Sequence, residues 1–218
     1  MRKPVVDYRQ FRFGDPRFAH VKLLLGWVGY FALFFLTETL IPAENCHPVH
    51  CALDDSIPFC EVFIIPYVFW YALIAISLGW FLLYDVESFK KLQTSIILTQ
   101  ILSMACYILF PTRQDLRPEI MPRENLLTHI IAVLYTVDTN TGVCPSFHVI
   151  CSIGMASVWL RQKEASAGWK AFVVASAVLI SLSTMFIKQH SAVDVLAAIP
   201  VALLAEWLLY GRKHPRFR

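Results

Sequence analysis

Apolar residues along this chain come in long blocks that are separated by short polar segments. Six blocks stand out, at 21–41, 62–84, 92–111, 145–160, 169–187 and 191–210. Most approach the length of about twenty residues that a helix needs to cross a bilayer, and the fourth is shorter. The pattern predicts an all-α fold: an integral membrane bundle of six transmembrane helices that forms a single domain.

A seventh apolar block, Leu126–Val137, is too short to cross a bilayer. This block lies between the third and fourth spans in the sequence. We interpret it as an interfacial or re-entrant helix that covers the candidate site. Residues 1–20 and 211–218 are polar and are predicted to lie outside the membrane. Because no apolar stretch precedes a cleavage site in the first of these segments, we expect no signal peptide.

The composition agrees with a membrane protein. Of the 218 residues, 57% are hydrophobic, and the mean hydropathy is +0.55. These values are too high for a soluble domain of this size. The formal net charge of +3 is small, and it gives no reason to expect a nucleic-acid partner.

The basic residues are distributed unevenly between the two predicted faces. Both termini and the second and fourth loops share one face, which holds fifteen of the 19 Lys and Arg residues. The other face holds Arg113, Arg117, Arg123 and Lys188. Cytoplasmic loops are enriched in Lys and Arg, so we expect cytoplasmic termini and a plasma or inner membrane location. The ends of spans three to six that carry the candidate chemistry then face the extracytoplasmic side.

Two histidines lie at these outer ends, each within a short polar cluster. His148 ends the sequence Cys-Pro-Ser-Phe-His, and His190 precedes Asp194 by one helical turn. Polar groups at membrane depth are costly, so their presence indicates function. We predict three catalytic residues for phosphoryl transfer. His190 is the nucleophile that forms a phosphohistidine, Asp194 orients its ring, and His148 is the general acid and base.

Four further residues are predicted to bind the phosphate. Arg113, Arg117 and Lys188 supply positive charge, since Arg grips phosphate oxygens two at a time and Lys acts as a point charge. Ser146 supplies a hydroxyl at the start of span four, where helix amide groups favour an anion. The alternative for each arginine is an ordinary contact with lipid headgroups.

Three cysteines, Cys46, Cys51 and Cys60, lie in the first outer loop. An extracytoplasmic loop permits disulfides, so we expect one bond among them, with the pair undetermined. Free thiols are one alternative. A small metal cluster with His47 and His50 is the other, and we expect no metal.

These residues resemble the type 2 phosphatidic acid phosphatase superfamily, which also includes vanadium haloperoxidases and sphingolipid head-group transferases. The family carries three motifs in order: Lys-x6-Arg-Pro, Pro-Ser-Gly-His and Ser-Arg-x5-His-x3-Asp. The counterparts here are Arg117-Pro118, then residues 145–148, then Ser183 with residues 184–194. The resemblance covers most of the chain from the second to the sixth span, and it implies the same catalytic roles for His148, His190 and Asp194.

The chain departs from the family at three positions. Phe110 stands where the family has Lys, Thr184 stands where it has Arg, and Phe147 stands where it has Gly. We expect Arg113 and Lys188 to replace the two missing cations. The sequence Phe-Pro-Thr-Arg, together with Lys-Gln-His-x3-Asp, is more similar to the branch of inositol phosphorylceramide and sphingomyelin synthases.

The resemblance implies a membrane lipid phosphate phosphatase, a phosphoric monoester hydrolase whose substrate reaches the site from the bilayer, with no cofactor. The first alternative is a lipid head-group phosphotransferase, because the same phosphohistidine can react with a lipid alcohol. The second alternative is a non-enzymatic transporter or interaction protein, which the two missing cations favour.

Overall fold

Helices make up 72% of the residues that the structure describes. The structure, a computed structural model, describes residues 4–12 and 14–211, so most of the predicted C-terminal tail lies outside the described residues. The α-helices are α1 (Leu25–Leu40), α2 (Ala52–Ser56), α3 (Ile64–Tyr84), α4 (Val86–Leu109), α5 (Leu126–Val137), α6 (Phe147–Leu160), α7 (Ala167–Phe186) and α8 (Ala192–Glu206). Two short strands, β1 (His47–Pro48) and β2 (Thr112–Arg113), pair in parallel.

Within the described residues, five helical segments are long and apolar enough to cross a membrane. They are Pro16–Leu40, Glu61–Tyr84, Val86–Leu109, Ala167–Phe186 and Ala192–Gly211. The predicted all-helical membrane architecture is therefore supported, but the count of six spans is not confirmed. The predicted fourth span corresponds to α6, whose 14 residues extend only about 21 Å at the usual helical rise.

The short helix α6 is the centre of the bundle. It packs against α4, α7 and α8, and most of its residues are buried. Gly154 allows a close approach to α4, since a Cβ atom there would lie 3.2 Å from Ser95 Oγ. Met155 and Trp159 join the largest buried apolar cluster, which also includes residues from α3, α4 and α7. Because protein surrounds this helix, it does not need the length of a lipid-exposed span.

The outer surfaces of the long helices expose large apolar side chains, as a lipid-facing surface requires. Examples are Val28 and Phe35 of α1, Ile65 of α3, Val178 of α7 and Leu203 of α8. Helix α1 contains no buried residue. It is thus the most peripheral of the long helices in the described part of the chain.

The predicted re-entrant segment forms α5 with the predicted bounds. Asn125 caps its first turn by accepting hydrogen bonds from the backbone N–H groups of Leu127 and Thr128. Ile131 is fully buried and packs in a cluster with Tyr67 of α3 and with Ile187, which follows α7. Helix α5 therefore lies against the ends of α3 and α7 that carry the candidate site.

Candidate active site

The pair His190 and Asp194 forms at the beginning of α8. The Nδ1 atom of His190 lies 3.2 Å from Asp194 Oδ2, and both residues are buried. Ser191 is the N-cap of α8, and its backbone N–H donates to the same carboxylate oxygen at 2.9 Å. Asp194 in turn is part of a capping box. One carboxylate thus fixes both the start of the helix and the imidazole ring. Nε2 is the ring nitrogen of His190 that Asp194 does not contact.

His148 lies in the first turn of α6 and is enclosed by aromatic rings of α3. Its ring stacks on Tyr67 with centroids 4.4 Å apart, and Trp70 lies at the same centroid distance on a tilted plane. Its Nε2 atom is buried and has no hydrogen-bond partner among the described residues. The ring is therefore held in position by packing, while one of its nitrogen atoms is free to exchange a proton with a ligand.

The two histidines line a common cavity of about 60 Å³. Their ring centroids lie 6.3 Å apart. The remaining lining residues come from α1, α4, the segment between α5 and α6, the first residue of α6, and the turn before α8: Tyr30, Phe34, Tyr107, Asp138, Thr139, Thr141, Gly142, Val143, Phe147 and Gln189. The cavity is small and largely aromatic, and the histidines are its basic groups.

A hydrogen bond joins the two backbone segments that carry the histidines. The N–H of Ser146, the residue before α6, donates to the backbone oxygen of Asp194 at 3.1 Å. Tyr107 of α4 donates its hydroxyl to the oxygen of Pro145 at 2.8 Å. These bonds hold the beginnings of α6 and α8 side by side. The Oγ atom of Ser146 is buried without a partner among the described residues, but Ser146 is not among the lining residues of the cavity.

Asp54, which the sequence analysis did not select, holds the turn that carries His190. It lies in α2, within the first loop, and is 2% exposed. Its carboxylate accepts hydrogen bonds from Ser191 Oγ at 2.6 Å and from the N–H of Ala192 at 2.7 Å. Burial disfavours the charged form of Asp54, but the hydrogen bonds from Ala192, Ser191 and Cys51 outweigh this effect and keep its pKa below the usual value.

Lys188 does not reach the cavity. Its ammonium group donates to the backbone oxygens of Asp54, at 3.0 Å, and Ile57. Its backbone has a φ of 56°, a conformation that is uncommon for a residue with a Cβ atom. Lys188 therefore ties the turn before His190 to the first loop, and the prediction that it supplies a phosphate-binding cation is not supported by these contacts.

Arg113 is also directed elsewhere. Its guanidinium group donates to Asp115 Oδ2 at 3.0 Å and to the backbone oxygen of Ala43 at 2.8 Å. These contacts hold β2 to the first loop. Arg113 does not line the cavity, so the expectation that it replaces a missing cation is likewise not supported.

Arg117 is the predicted cation that lies next to the cavity. Its Nη2 atom donates to the backbone oxygen of Asp138 at 2.6 Å and to Gln189 Oε1 at 2.9 Å, and both partners line the cavity. The guanidinium group also stacks over Tyr135 at 4.2 Å. Its Nε atom is buried without a partner among the described residues, and Arg117 is not itself among the lining residues of the cavity.

Neither of the two positions at which the family has a cation carries positive charge here. Phe110 stacks on His47 with ring centroids 4.3 Å apart and is exposed. Thr184 is fully buried, and its hydroxyl donates to the backbone oxygen of Ser181 in its own helix. Phe147 lines the cavity and stacks on Tyr30 at 4.8 Å.

The cavity has acidic groups as well. Asp138 lines it and accepts a hydrogen bond from the Tyr67 hydroxyl at 2.7 Å. Glu38 of α1 accepts hydrogen bonds from the hydroxyls of Thr139 and Thr141, which also line the cavity. The surroundings of the two histidines thus combine one arginine with two carboxylates, besides Asp194.

All six cysteines lie in the described part of the chain, and each is a free thiol. The predicted disulfide among Cys46, Cys51 and Cys60 is therefore not formed in this structure. The three cysteines lie in different local structures. Cys46 follows a short 3-10 helix, Cys51 caps α2, and Cys60 donates its N–H to the backbone oxygen of Phe186.

Sequence reasoning missed the residues that surround the histidines from distant parts of the chain. Asp54, Tyr67, Trp70 and Asp138 lie in elements other than those of the two histidines, and no local spacing connects them to either histidine. One weak feature of the sequence points to Asp54: it is an acidic residue in a predicted loop that contains no Lys or Arg.

A scan against models of protein families found no match for this chain, and neither did searches of curated proteins and of solved structures.

Proposed function

We propose that this chain is a membrane lipid phosphate phosphatase that acts through a phosphohistidine on His190. The observation that carries the proposal is the arrangement of His190, held by Asp194, and His148 on the wall of one cavity. Phosphoryl transfer needs a nucleophile, a proton donor for the leaving oxygen and partial positive charge near the equatorial oxygens. His190, His148 and Arg117 can meet these needs, and the resemblance to the type 2 phosphatidic acid phosphatases supports the same roles.

In the first step, Nε2 of His190 attacks phosphorus and the bond between phosphorus and the lipid oxygen breaks. Asp194 stabilises the positive charge that develops on the imidazole, because its carboxylate accepts a hydrogen bond from the Nδ1–H group. Protonated His148 gives its proton to the leaving alkoxide. In the second step, His148 removes a proton from water, the resulting hydroxide attacks phosphorus, and the bond between phosphorus and nitrogen breaks to release inorganic phosphate.

The transferred group would lie between the two histidines, with Arg117 beside it. The first turn of α6 adds backbone N–H groups that have no partner within the helix, and these favour an anion. We further propose that α6 is a sixth, central membrane segment that protein surrounds. Both termini are then cytoplasmic and the site faces the extracytoplasmic side, as the distribution of Lys and Arg favours.

Release of phosphate by the purified protein tests this proposal. Phosphatidic acid, undecaprenyl diphosphate and sphingosine phosphate are offered in detergent with a chelator present, beside the His190→Ala variant. The proposal expects release from at least one substrate that disappears in the variant. Absence of release from all three, by a protein with an intact melting transition, would contradict it.

A second candidate is a lipid head-group phosphotransferase, and the charge around the cavity favours it. A phosphate monoester carries close to two negative charges at neutral pH, whereas a phosphodiester carries one. Arg113 and Lys188 are directed away from the cavity, and Asp138 and Glu38 lie beside it. This balance suits a singly charged diester better than a doubly charged monoester. Phe147 on Tyr30 also restricts access of water.

The two candidates are distinguished by the fate of the labelled phosphoryl group. A phosphodiester lipid labelled in its headgroup is supplied together with a lipid alcohol as acceptor. Label in a new lipid that requires both the acceptor and His190 identifies a transferase. Label only in water-soluble products identifies a hydrolase.

A further inference from the structure

An apolar groove runs along the membrane-facing side of α3, outside the catalytic cavity. Its volume is about 380 Å³, within the usual range of small-ligand sites. One side is formed by residues of α1 and of the 3-10 helix before it, and the other by α3, with Phe89 of α4. The lining residues of α3 include Tyr71, Ala75, Leu78, Gly79 and Leu82.

The sequence of α3 explains why a groove forms here. Tyr71, Ala75 and Gly79 are spaced four residues apart and therefore lie on one face of the helix. Two of these three residues have almost no side chain, so they form a low floor. A Cβ atom built on Gly79 would meet no other atom within 4 Å, which shows that the space above it is open. From Tyr71 to Leu82 the floor extends about 17 Å along the helix axis.

The groove ends at residues that touch the catalytic histidine. Trp70 and Tyr71 line the groove, and their ring centroids lie 4.4 Å and 5.9 Å from that of His148. Trp27, on the opposite side, lies 6.2 Å from the ring of Phe147, which lines the cavity. Contacts between aromatic side chains of the groove and residues of the cavity thus form the boundary between the two.

We propose that this groove binds one hydrocarbon chain of the lipid substrate, while its phosphate lies between His148 and His190. This inference rests on the proposed function. Every lining residue is uncharged, so an apolar chain is the ligand that the groove suits. The groove begins at Trp70 and Tyr71, which contact His148, and continues along α3 toward its C-terminal end, the direction that a lipid chain takes when its headgroup lies at the outer surface. Helix α1, which has no buried residue, covers one side.

The test fills the groove without changing the catalytic residues. Gly79→Leu adds a side chain to the floor. Gly29→Leu is the matched control, because Gly29 lies in α1, does not line the groove and also has open space at its Cβ position. For each protein, kcat/KM is measured for a long-chain and for a short-chain phosphatidic acid.

We expect Gly79→Leu to lower the ratio of long-chain to short-chain kcat/KM by about tenfold or more, since each buried methylene contributes to binding. Gly29→Leu leaves the ratio within about twofold, a typical result for a surface change. An unchanged ratio in Gly79→Leu, with a normal melting temperature, would overturn the inference.

A second measurement does not depend on turnover. A phosphatidic acid with a diazirine at the end of its chain is photolysed with each protein in lipid nanodiscs, and the labelled peptides are identified. We expect label on Leu78 and Leu82 in the wild type and in Gly29→Leu, and its loss in Gly79→Leu. The same labelling in Gly79→Leu would overturn the inference that the groove binds a lipid chain. If the wild type is labelled at these residues but turns over no substrate, the result would contradict the proposed function and would still support lipid binding in the groove.

Discussion

The imidazole rings of His148 and His190 face a common cavity with their centroids 6.3 Å apart. His148 belongs to α6 and His190 to the turn before α8. A hydrogen bond from the Ser146 N–H to the backbone oxygen of Asp194 joins the starts of α6 and α8. We propose that the transferred phosphoryl group lies in this cavity, beside both rings. One histidine can then act as nucleophile while the other exchanges a proton with the leaving oxygen.

Replacement of His190 by Ala is expected to abolish turnover, because the variant has no nucleophile. The loss of a covalent catalyst costs several powers of ten, so we expect less than about one part in a hundred of the wild-type kcat. The measurement is phosphate release per mole of folded protein. His129→Ala, which changes an exposed histidine of α5, is the control and retains activity. Residual activity above this level in His190→Ala would exclude His190 as the nucleophile.

Replacement of Asp54 by Ala is expected to lower kcat about a hundredfold, the cost of a small displacement of a reacting group. The variant loses the bonds to Ser191 and Ala192 that hold the turn of His190. KM changes little, because Asp54 does not line the cavity. Asp55→Ala is the matched control, since Asp55 belongs to the same helix and pairs with the exposed His50. Equal kcat values in the two variants would show that the first loop does not position His190.

Asp54 also predicts a pH dependence of stability. Its pKa lies below the ordinary value of 3.8 in the folded protein, so the folded state binds its proton less tightly than the unfolded chain does. The resulting stabilisation is complete above the unfolded pKa and is lost as the pH falls through the folded pKa. We expect Asp54→Asn to lower the melting temperature at neutral pH, and this deficit to shrink below pH 3.8. A deficit in Asp54→Asn that is independent of pH would contradict the prediction.

Replacement of Arg117 by Ala is expected to weaken substrate binding more than replacement of Lys188 by Ala. Arg117 bonds to two residues that line the cavity and retains one unpaired donor, whereas Lys188 bonds to the first loop. We expect KM to rise about tenfold or more in Arg117→Ala, since a hydrogen bond to a charged group is worth roughly 1.5–3 kcal/mol. In Lys188→Ala we expect the main effect on kcat. Equal changes in KM would mean that the cations around the phosphate have been misassigned.

The sequence predicted the parts of the site that depend on local spacing. The four-residue separation correctly predicted the contact between His190 and Asp194, although His190 lies just before the N-cap of α8 and not on the helix. The apolar blocks located the long helices. The hydrogen-bond partners of Arg113 and Lys188 were not predictable, because they depend on the fold of the first loop, which packs against the turn before α8. The contact between Asp54 and Ser191 spans 137 residues, and no periodic pattern encodes it. The sequence already predicted that the fourth span is short, whereas the central position of α6 depends on packing that hydropathy does not report.

The most direct test of the central claim is the chemical capture of phosphate on His190. Wild type, His148→Ala and His190→Ala are incubated briefly with radiolabelled p-nitrophenyl phosphate, whose leaving group needs no proton, and are quenched in base, where phosphohistidine is stable. We predict label on His190 that accumulates in His148→Ala, because this variant lacks the base that activates water, and no label in His190→Ala. Equal labelling of His190→Ala, or turnover by the wild type without label on any histidine, would contradict a phosphohistidine mechanism.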